Sequence, residues 1–143
     1  MSITEYQGRC FCHTVQLRVV GEPVSAGYCH CASCRTWSAS PVNAFTLWAP
    51  SAVTITAGLA RLGSYSNTDR SIRKWCKNCG GHVLTEHPGL VLTDVFAATI
   101  PEFPFRPIVH VNYSESVLAI RDGLPKLPGM PKWRGASEIV LRT

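Results

Sequence analysis

The seven cysteines of this 143-residue chain fall into three short clusters, and this grouping restricts the fold more than any other feature. The clusters read Cys10-x-Cys12, Cys29-x-Cys31-x-x-Cys34 and Cys76-x-x-Cys79. A disulfide framework prefers an even number of cysteines, and two cysteines separated by a single residue fit disulfide geometry badly. Thiolates two to four residues apart suit Zn²⁺, which takes tetrahedral sulfur ligands. The sequence therefore predicts metal sites.

The cluster sizes divide these ligands between two sites. Only one four-thiolate site can be built without splitting a cluster, and it joins the two outer pairs. The inner triple then keeps an open fourth position. Closed four-ligand zinc sites are structural, whereas three protein ligands plus an exchangeable one are typical of catalytic zinc. The predicted structural ligands are Cys10, Cys12, Cys76 and Cys79, and the predicted catalytic ligands are Cys29, Cys31 and Cys34.

The inner triple favours chemistry on thiols. Three thiolates give a zinc centre a formal charge of −1, which makes it a poorer Lewis acid than zinc held by neutral histidines. A thiol bound at the open position would be deprotonated. His30 lies between two of the ligands and is a candidate proton shuttle or fourth ligand, while Trp37 is a candidate to border the metal. His82 and His110 are expected in packing or supporting roles.

Other common chemistries lack their motifs. No histidine begins HExxH or the deaminase HxE pattern, so hydrolytic zinc motifs are absent. No G-x-G-x-x-G, P-loop or G-x-S-x-G element is present. A redox Cys-x-x-Cys of the thioredoxin type belongs to a βαβ context that the sequence does not show.

The rest of the chain predicts a mainly β fold with short strands and few helical turns. Short β-branched and aromatic segments recur between turn signals, and Val15, Leu17 and Val19 alternate onto one face. No long segment has a 3.6-residue apolar repeat, so we expect only short helical turns, including one after Cys31. The predicted strands are 14–20, 43–48, 52–56, 62–66, 71–75, 82–86, 90–95, 108–113 and 117–121, with a further edge strand at 138–142.

Length and composition predict one domain, with a core in residues 1–123 and a proline-rich extension in residues 124–143 that lies across the surface. The first residues lack the features of a signal peptide and no apolar run is long enough to span a membrane, so we expect a cytoplasmic protein. The formal charge of +5 falls to about +2 when seven thiolates bind two Zn²⁺ ions. General binding to nucleic acid is therefore not expected.

The chain resembles the glutathione-dependent formaldehyde-activating enzyme family, which also includes centromere protein V. The resemblance covers nearly the whole chain and is specific, because the three cysteine clusters occur in register. It is carried by the segments Gly8-Arg9-Cys10-Phe11-Cys12, Cys29-His30-Cys31-Ala32-Ser33-Cys34-Arg35, Leu62-Gly63-Ser64-Tyr65-Ser66, Arg73-Lys74-Trp75-Cys76-Lys77-Asn78-Cys79-Gly80, His110 and Asp122-Gly123-Leu124-Pro125.

The resemblance implies a β-tent fold similar to the Mss4-like zinc proteins, with the structural and catalytic zinc ligands divided as above. It also implies a carbon-sulfur lyase that adds the thiol of glutathione, as a co-substrate, to formaldehyde. We expect the carboxylates of glutathione to meet basic side chains near the metal. The candidate contacts are Arg35, Trp37, Lys74 and Lys77. The alternative hypothesis is a non-catalytic zinc module that binds protein or nucleic acid.

Overall fold

The computed structural model describes residues 2–131, and these form two compact units. The first unit comprises residues 2–25 and 46–104, and the second comprises residues 26–45 and 105–131. Within the described residues, no helix is long and apolar enough to cross a membrane.

Ten strands and one α-helix occur within residues 2–131. In chain order they are β1 (Glu5–Arg9), β2 (Gln16–Val20), β3 (Ser25–Cys29), α1 (Ala32–Ser38), β4 (Asn43–Trp48), β5 (Val53–Ala57), β6 (Leu62–Thr68), β7 (Ser71–Cys76), β8 (His82–His87), β9 (Leu92–Phe96) and β10 (Val109–Val111). Short 3-10 turns follow several strands, and one of them, Tyr113–Glu115, comes shortly after β10.

The first unit contains a three-stranded antiparallel sheet in the order β1-β2-β5. Alternation along β2 turns Leu17 and Val19 inward, and Val15 just before the strand joins them; all three are fully buried. Gly8 of β1 faces the same core, and a Cβ there would overlap Leu17 and Ile100. The close approach of β1 to this core therefore requires glycine.

The remaining strands of the first unit follow the order β4-β9-β8-β7-β6. Their buried side chains include Trp48, Val83 and Val95, which pack in one cluster with the residues of β2. The indole N–H of Trp48 donates to the Thr46 hydroxyl at 2.8 Å, and that hydroxyl donates to the Val95 carbonyl. The only indole nitrogen of Trp48 is thus satisfied inside the core, as a buried donor requires.

The second unit is built around β3, which has β10 on one side and the beginning of β4 on the other. Strand β10 runs parallel to β3 and pairs His110 with Tyr28. A Cβ at Gly27 would overlap the Val109 carbonyl oxygen, so glycine is needed for this close pairing. Helix α1 starts just after β3, where Cys31 serves as its N-cap.

The prediction of a mainly β chain with short strands is confirmed, as is the helical turn after Cys31. The segment 43–48 is predicted to the residue, and 52–56, 62–66, 71–75, 82–86, 90–95 and 108–113 overlap observed strands. The strand prediction at 117–121 is wrong: Val117 and Leu118 are exposed and no strand forms there. The edge strand at 138–142 lies outside the described residues. Strands β1 and β3 are not among the predicted strands, because they lack the run of β-branched residues on which the prediction depended.

Candidate metal centres

The first cysteine group lies in the first unit and brings together the two outer sequence clusters. The sulfur atoms of Cys10, Cys12, Cys76 and Cys79 all lie within 4.8 Å of one another. Cys10 and Cys76 are buried in the hydrophobic core, whereas Cys12 is exposed. The predicted four-thiolate arrangement is therefore present in the fold.

Two tight turns present these four sulfurs. After β1 the chain turns through His13, whose φ is 67°. After β7 the turn closes when the Gly80 amide donates to the Cys76 carbonyl at 2.7 Å, and Gly80 adopts a φ of 75° that glycine tolerates without strain. The amides that donate to sulfur are Val15 to Cys10, Asn78 to Cys76 and Gly81 to Cys79, each at 3.3 Å.

The donor set of this group fits a divalent soft cation. Burial raises the pKa of the Cys10 thiol to about 11. Hydrogen bonds with Thr14 and Asn78 lower the pKa of exposed Cys12 to about 5. A metal ion would offset the desolvation of the buried thiolates and would be held by four soft ligands, which is the set that zinc prefers in structural sites.

The second cysteine group lies in the second unit, where β3 meets α1. Cys29 ends the strand, Cys31 caps the helix and Cys34 occupies the first helical turn, so that three sulfurs converge within 4.8 Å. The Cys34 amide donates to the Cys31 sulfur at 3.2 Å. Among the described residues, no fourth cysteine, histidine or carboxylate joins this group. Three ligands and an open side are therefore what the fold presents.

Crowding of the thiols also makes this second group suited to a cation. Hydrogen bonding with Cys31 raises the pKa of Cys29 to about 11. Contacts with Cys29 and Cys31 hold the pKa of Cys34 far above its ordinary value. Three thiols that oppose one another's ionisation are stabilised as thiolates by a metal ion. The residues present thus fit zinc at both groups.

His30 is fully buried and is held at several points between Cys29 and Cys31 of the second group. Its amide donates to the Val111 carbonyl at 3.1 Å, and its carbonyl accepts from Arg35 Nε at 3.0 Å. Its ring nitrogen Nε2 lies 2.8 Å from His110 Nδ1. Burial, with the nearby charge of Lys126, lowers the pKa of His30 to about 4. Burial therefore disfavours the charged form of the His30 ring, and the structure does not place this ring among the three converging sulfurs of the second group.

Asn112 and Glu115 support the same ligand loop from the segment after β10. The Asn112 side-chain amide donates to the Cys29 sulfur at 3.5 Å and to the Met130 sulfur at 3.3 Å. The Glu115 carboxylate accepts from the Ala32 amide at 3.2 Å, and its carbonyl accepts from Arg35 at 3.0 Å. Partners of this kind orient metal ligands and tune their basicity.

The four predicted substrate contacts have different environments. Arg35 is half-buried and already donates to two main-chain carbonyls, while Trp37 lies on α1 three residues after Cys34. Both belong to the second unit. Lys74 and Lys77 belong to the first unit, where Lys74 pairs with Glu86 at 2.8 Å and Lys77 is exposed.

Sequence reasoning missed several residues that support the second group. Asn112 and Glu115 carry no motif, and Lys126 falls in the predicted surface extension although its side chain is fully buried. His110 and Asp122 stood in the segments that resemble the family, but no role was predicted for Asp122. The usable signal was the occurrence of the ionisable residues His110, Asp122 and Lys126 within one short segment of the chain.

Comparison with known proteins identifies one family and two similar proteins. Residues 5–114 match the family model described as glutathione-dependent formaldehyde-activating enzyme. An uncharacterized lyase of Schizosaccharomyces pombe is 34% identical over 76 residues, which are 53% of this chain and 53% of that protein. The chain thus matches about half the length of this curated relative. A crystal structure of a Rhodobacter sphaeroides protein covers 68% of this chain and 89% of its own, with a TM-score of 0.57 and 19% identity, which shows a shared fold.

Proposed function

Because the chain belongs to the glutathione-dependent formaldehyde-activating enzyme family, we propose that it is a zinc-dependent carbon-sulfur lyase acting on a thiol and a small aldehyde. In the synthetic direction the thiol sulfur forms a bond to the aldehyde carbon, the carbonyl π bond breaks, and the thiol proton ends on the oxygen. With glutathione and formaldehyde the product is S-(hydroxymethyl)glutathione. The lyase name of the Schizosaccharomyces pombe relative supports the reaction class.

One observation carries this proposal: the two cysteine groups differ by one ligand. Four sulfurs converge in the first group, whereas three converge in the second, and no fourth His, Cys, Asp or Glu among the described residues completes it. A site with three protein ligands can accept an exchangeable fourth, which is the arrangement of catalytic zinc. We therefore assign the reaction to Cys29, Cys31 and Cys34, and a structural role to the first group.

A zinc ion held by the three cysteines would favour the thiolate form of a substrate thiol at neutral pH. The protein moderates the charge of its own ligands, because the Asn112 amide and the Cys34 main-chain amide donate to two of the three sulfurs. Hydrogen bonds to a thiolate weaken its electron donation to a metal. Both donors thus leave more positive charge available for the substrate sulfur.

Binding of the thiol substrate is assigned first to Arg35 and Trp37. Residues three apart on a helix lie on the same face, so Trp37 lies beside Cys34 on α1. Arg35 uses two of its five N–H groups on carbonyls, and the others can pair with a carboxylate. Lys74 and Lys77 are weaker candidates, because Lys74 already forms an ion pair with Glu86.

The test is the rate at which formaldehyde and glutathione exchange with their adduct, followed by NMR exchange spectroscopy. We expect the zinc-loaded protein to accelerate this exchange, and we expect Cys34→Ser to abolish the acceleration while the protein stays folded. Asp69→Asn, on an exposed hairpin turn, is the control that should leave the rate unchanged. Repeating the measurement with N-acetylcysteine separates recognition of glutathione from recognition of any thiol.

Failure of the zinc-loaded protein to accelerate exchange for any thiol and any small aldehyde would overturn this assignment. The non-catalytic zinc module would then be the better hypothesis. Retained acceleration in Cys34→Ser would instead move the reaction away from the second cysteine group.

A further inference from the structure

Four ionisable side chains form one hydrogen-bonded chain inside the second unit. Lys126 Nζ donates to Asp122 Oδ1 at 3.0 Å, and the other carboxylate oxygen lies 2.8 Å from His110 Nε2. His110 Nδ1 in turn lies 2.8 Å from His30 Nε2. Lys126, His110 and His30 are fully buried, and Asp122 retains about a quarter of its side-chain exposure.

This chain is poorly explained by stability alone. Burying ion pairs is frequently no better for folding than apolar packing, and the best-attested use of a buried polar network is to specify one arrangement. The chain ends at His30, the residue between the ligands Cys29 and Cys31. Tyr113 also packs edge-on against the His30 ring, with centroids 4.8 Å apart. The network therefore leads to the loop that carries the proposed reactive site.

Charge balance sets the direction of each hydrogen bond. Asp122 is ionised, because hydrogen bonds from His110 and Lys126 outweigh its partial burial and hold its pKa well below the usual range. The charge of Lys126 already balances this carboxylate, so a charged His110 would have no counterion among the four side chains of the network. Neutral His110 must donate from Nε2 to Asp122, which leaves its Nδ1 as an acceptor.

His30 is then restricted to one tautomer. Since His110 Nδ1 can only accept, His30 must carry its proton on Nε2 and donate it. His30 Nδ1 remains as a buried lone pair, and no hydrogen-bond partner for it occurs within residues 2–131. Every proton in the chain is thus assigned from the carboxylate inward.

We propose that Lys126, Asp122 and His110 are positioning residues of the second cysteine group, which act through His30 by fixing its tautomer and orientation. The carboxylate makes the outer hydrogen bonds charge-assisted, and such bonds are roughly twice as strong as neutral ones. They hold the His30 ring, and the His30 main chain holds the directions from which Cys29 and Cys31 leave the backbone. The proposal rests on one part of the proposed function, namely that the second cysteine group binds a zinc ion.

The first measurement is the tautomer of each ring in the zinc-loaded wild-type protein, read from long-range ¹⁵N NMR couplings at neutral pH. We expect both His110 and His30 to be neutral and to carry the proton on Nε2. The Asp122→Asn variant should reverse this pattern. Its amide oxygen can keep the contact with Lys126 while its NH₂ group faces His110 Nε2, which forces the protons of both rings onto Nδ1.

The second measurement is zinc affinity at the second group, by competition with a chromophoric chelator. We expect Asp122→Asn to weaken this affinity about tenfold, in the range found when partners of metal ligands are removed, and to spare the first group. Asp69→Asn makes the same chemical change on the surface and should alter neither the tautomers nor the affinity. If Asp122→Asn does not fold, His110→Gln replaces it in the affinity measurement, because it removes the ring nitrogen that lies 2.8 Å from His30 Nε2.

A wild-type His30 protonated on Nδ1, or a doubly protonated His110, would overturn the proposal. So would an unchanged zinc affinity at the second group in the folded variant. The tautomers are read without any substrate, so the positioning role and the proposed reaction can fail independently.

Discussion

Removal of one ligand from each cysteine group should have very different effects on folding stability. Cys79→Ser and Cys34→Ser form a matched pair, because both cysteines are half-buried and each substitution exchanges one sulfur for one oxygen. Each substitution removes one sulfur from its own group, so each variant is expected to bind zinc less tightly at that group and with unchanged affinity at the other. What differs is the length of chain that each metal ion closes.

The loop lengths give the size of this difference. The first group joins Cys12 to Cys76, which are 64 residues apart, whereas Cys29 and Cys34 are five residues apart. With the loop-entropy relation for cross-links, a loop of this longer length stabilises the folded state by about 4 kcal/mol and the shorter one by about 2 kcal/mol. The first group also includes two core residues, Cys10 and Cys76, while α1 contributes no buried residue.

Thermal unfolding of the zinc-loaded proteins, followed by circular dichroism, measures the difference. At roughly 3 °C per kcal/mol for a chain of this size, Cys79→Ser should lower Tm by more than about 10 °C and Cys34→Ser by about half as much or less. Metal analysis of each variant measures how much of its zinc has been lost. Equal losses of Tm with equal metal content would refute the division into a structural and a reactive site.

Three further perturbations test other parts of the structure. Gly27→Ala should lower the unfolding free energy by more than about 2 kcal/mol, measured by chemical denaturation, because its Cβ would overlap the Val109 carbonyl oxygen. The control Gly89→Ala should be nearly neutral, because a Cβ at Gly89 meets no atom within 4 Å. Asn112→Gly is compatible with the left-handed backbone at this position, whose φ is 54°, but removes the side-chain amide that donates to the Cys29 sulfur. Zinc affinity at the second group, measured by chelator competition, should therefore fall about tenfold. An unchanged affinity would show that this hydrogen bond is irrelevant to metal binding. Folding lowers the pKa of Asp122, so the ionised carboxylate stabilises the folded state above the ordinary pKa of 3.8, and this stabilisation is lost as the pH falls toward the folded pKa. The difference in unfolding free energy between wild type and Asp122→Asn should therefore shrink in acid. A difference that grows below pH 4 would contradict the assigned ionic state.

The two cysteine groups could be predicted from the sequence because cluster size and spacing are local properties. Short spacings fix which sulfurs can share an ion, and the two clusters of two combine in only one way. Most strands could also be predicted, since short segments of β-branched and aromatic residues recur along the chain between turn residues. Strand β3 could not, because its sequence Ser-Ala-Gly-Tyr-Cys has no such pattern and its conformation depends on pairing with β10, more than eighty residues later.

The supports of the second group were hidden for the same reason. Lys126 looks like a surface residue in a proline-rich segment, and only the fold shows that its ammonium group is buried against Asp122 and the Leu124 carbonyl. Arg35 is predicted as a substrate contact from its place next to a cysteine cluster, and only the fold shows that its guanidinium also donates to the His30 and Glu115 carbonyls. The sequence shows which side chains are charged, whereas the partner of each charged side chain depends on tertiary packing.

The parallel pairing of β3 with β10 has a consequence for biosynthesis. Cys29, Cys31 and Cys34 leave the ribosome early, whereas their supports Asn112, Asp122 and Lys126 follow about ninety residues later. At usual rates of translation this delay is on the order of 5 to 20 seconds. During that interval the three thiols of the second group can react but lack the hydrogen-bond partners that orient them. All four cysteines of the first group, in contrast, are present once Cys79 has emerged. Metal loading in the cell is therefore expected to be sequential, with the first cysteine group filled before the second.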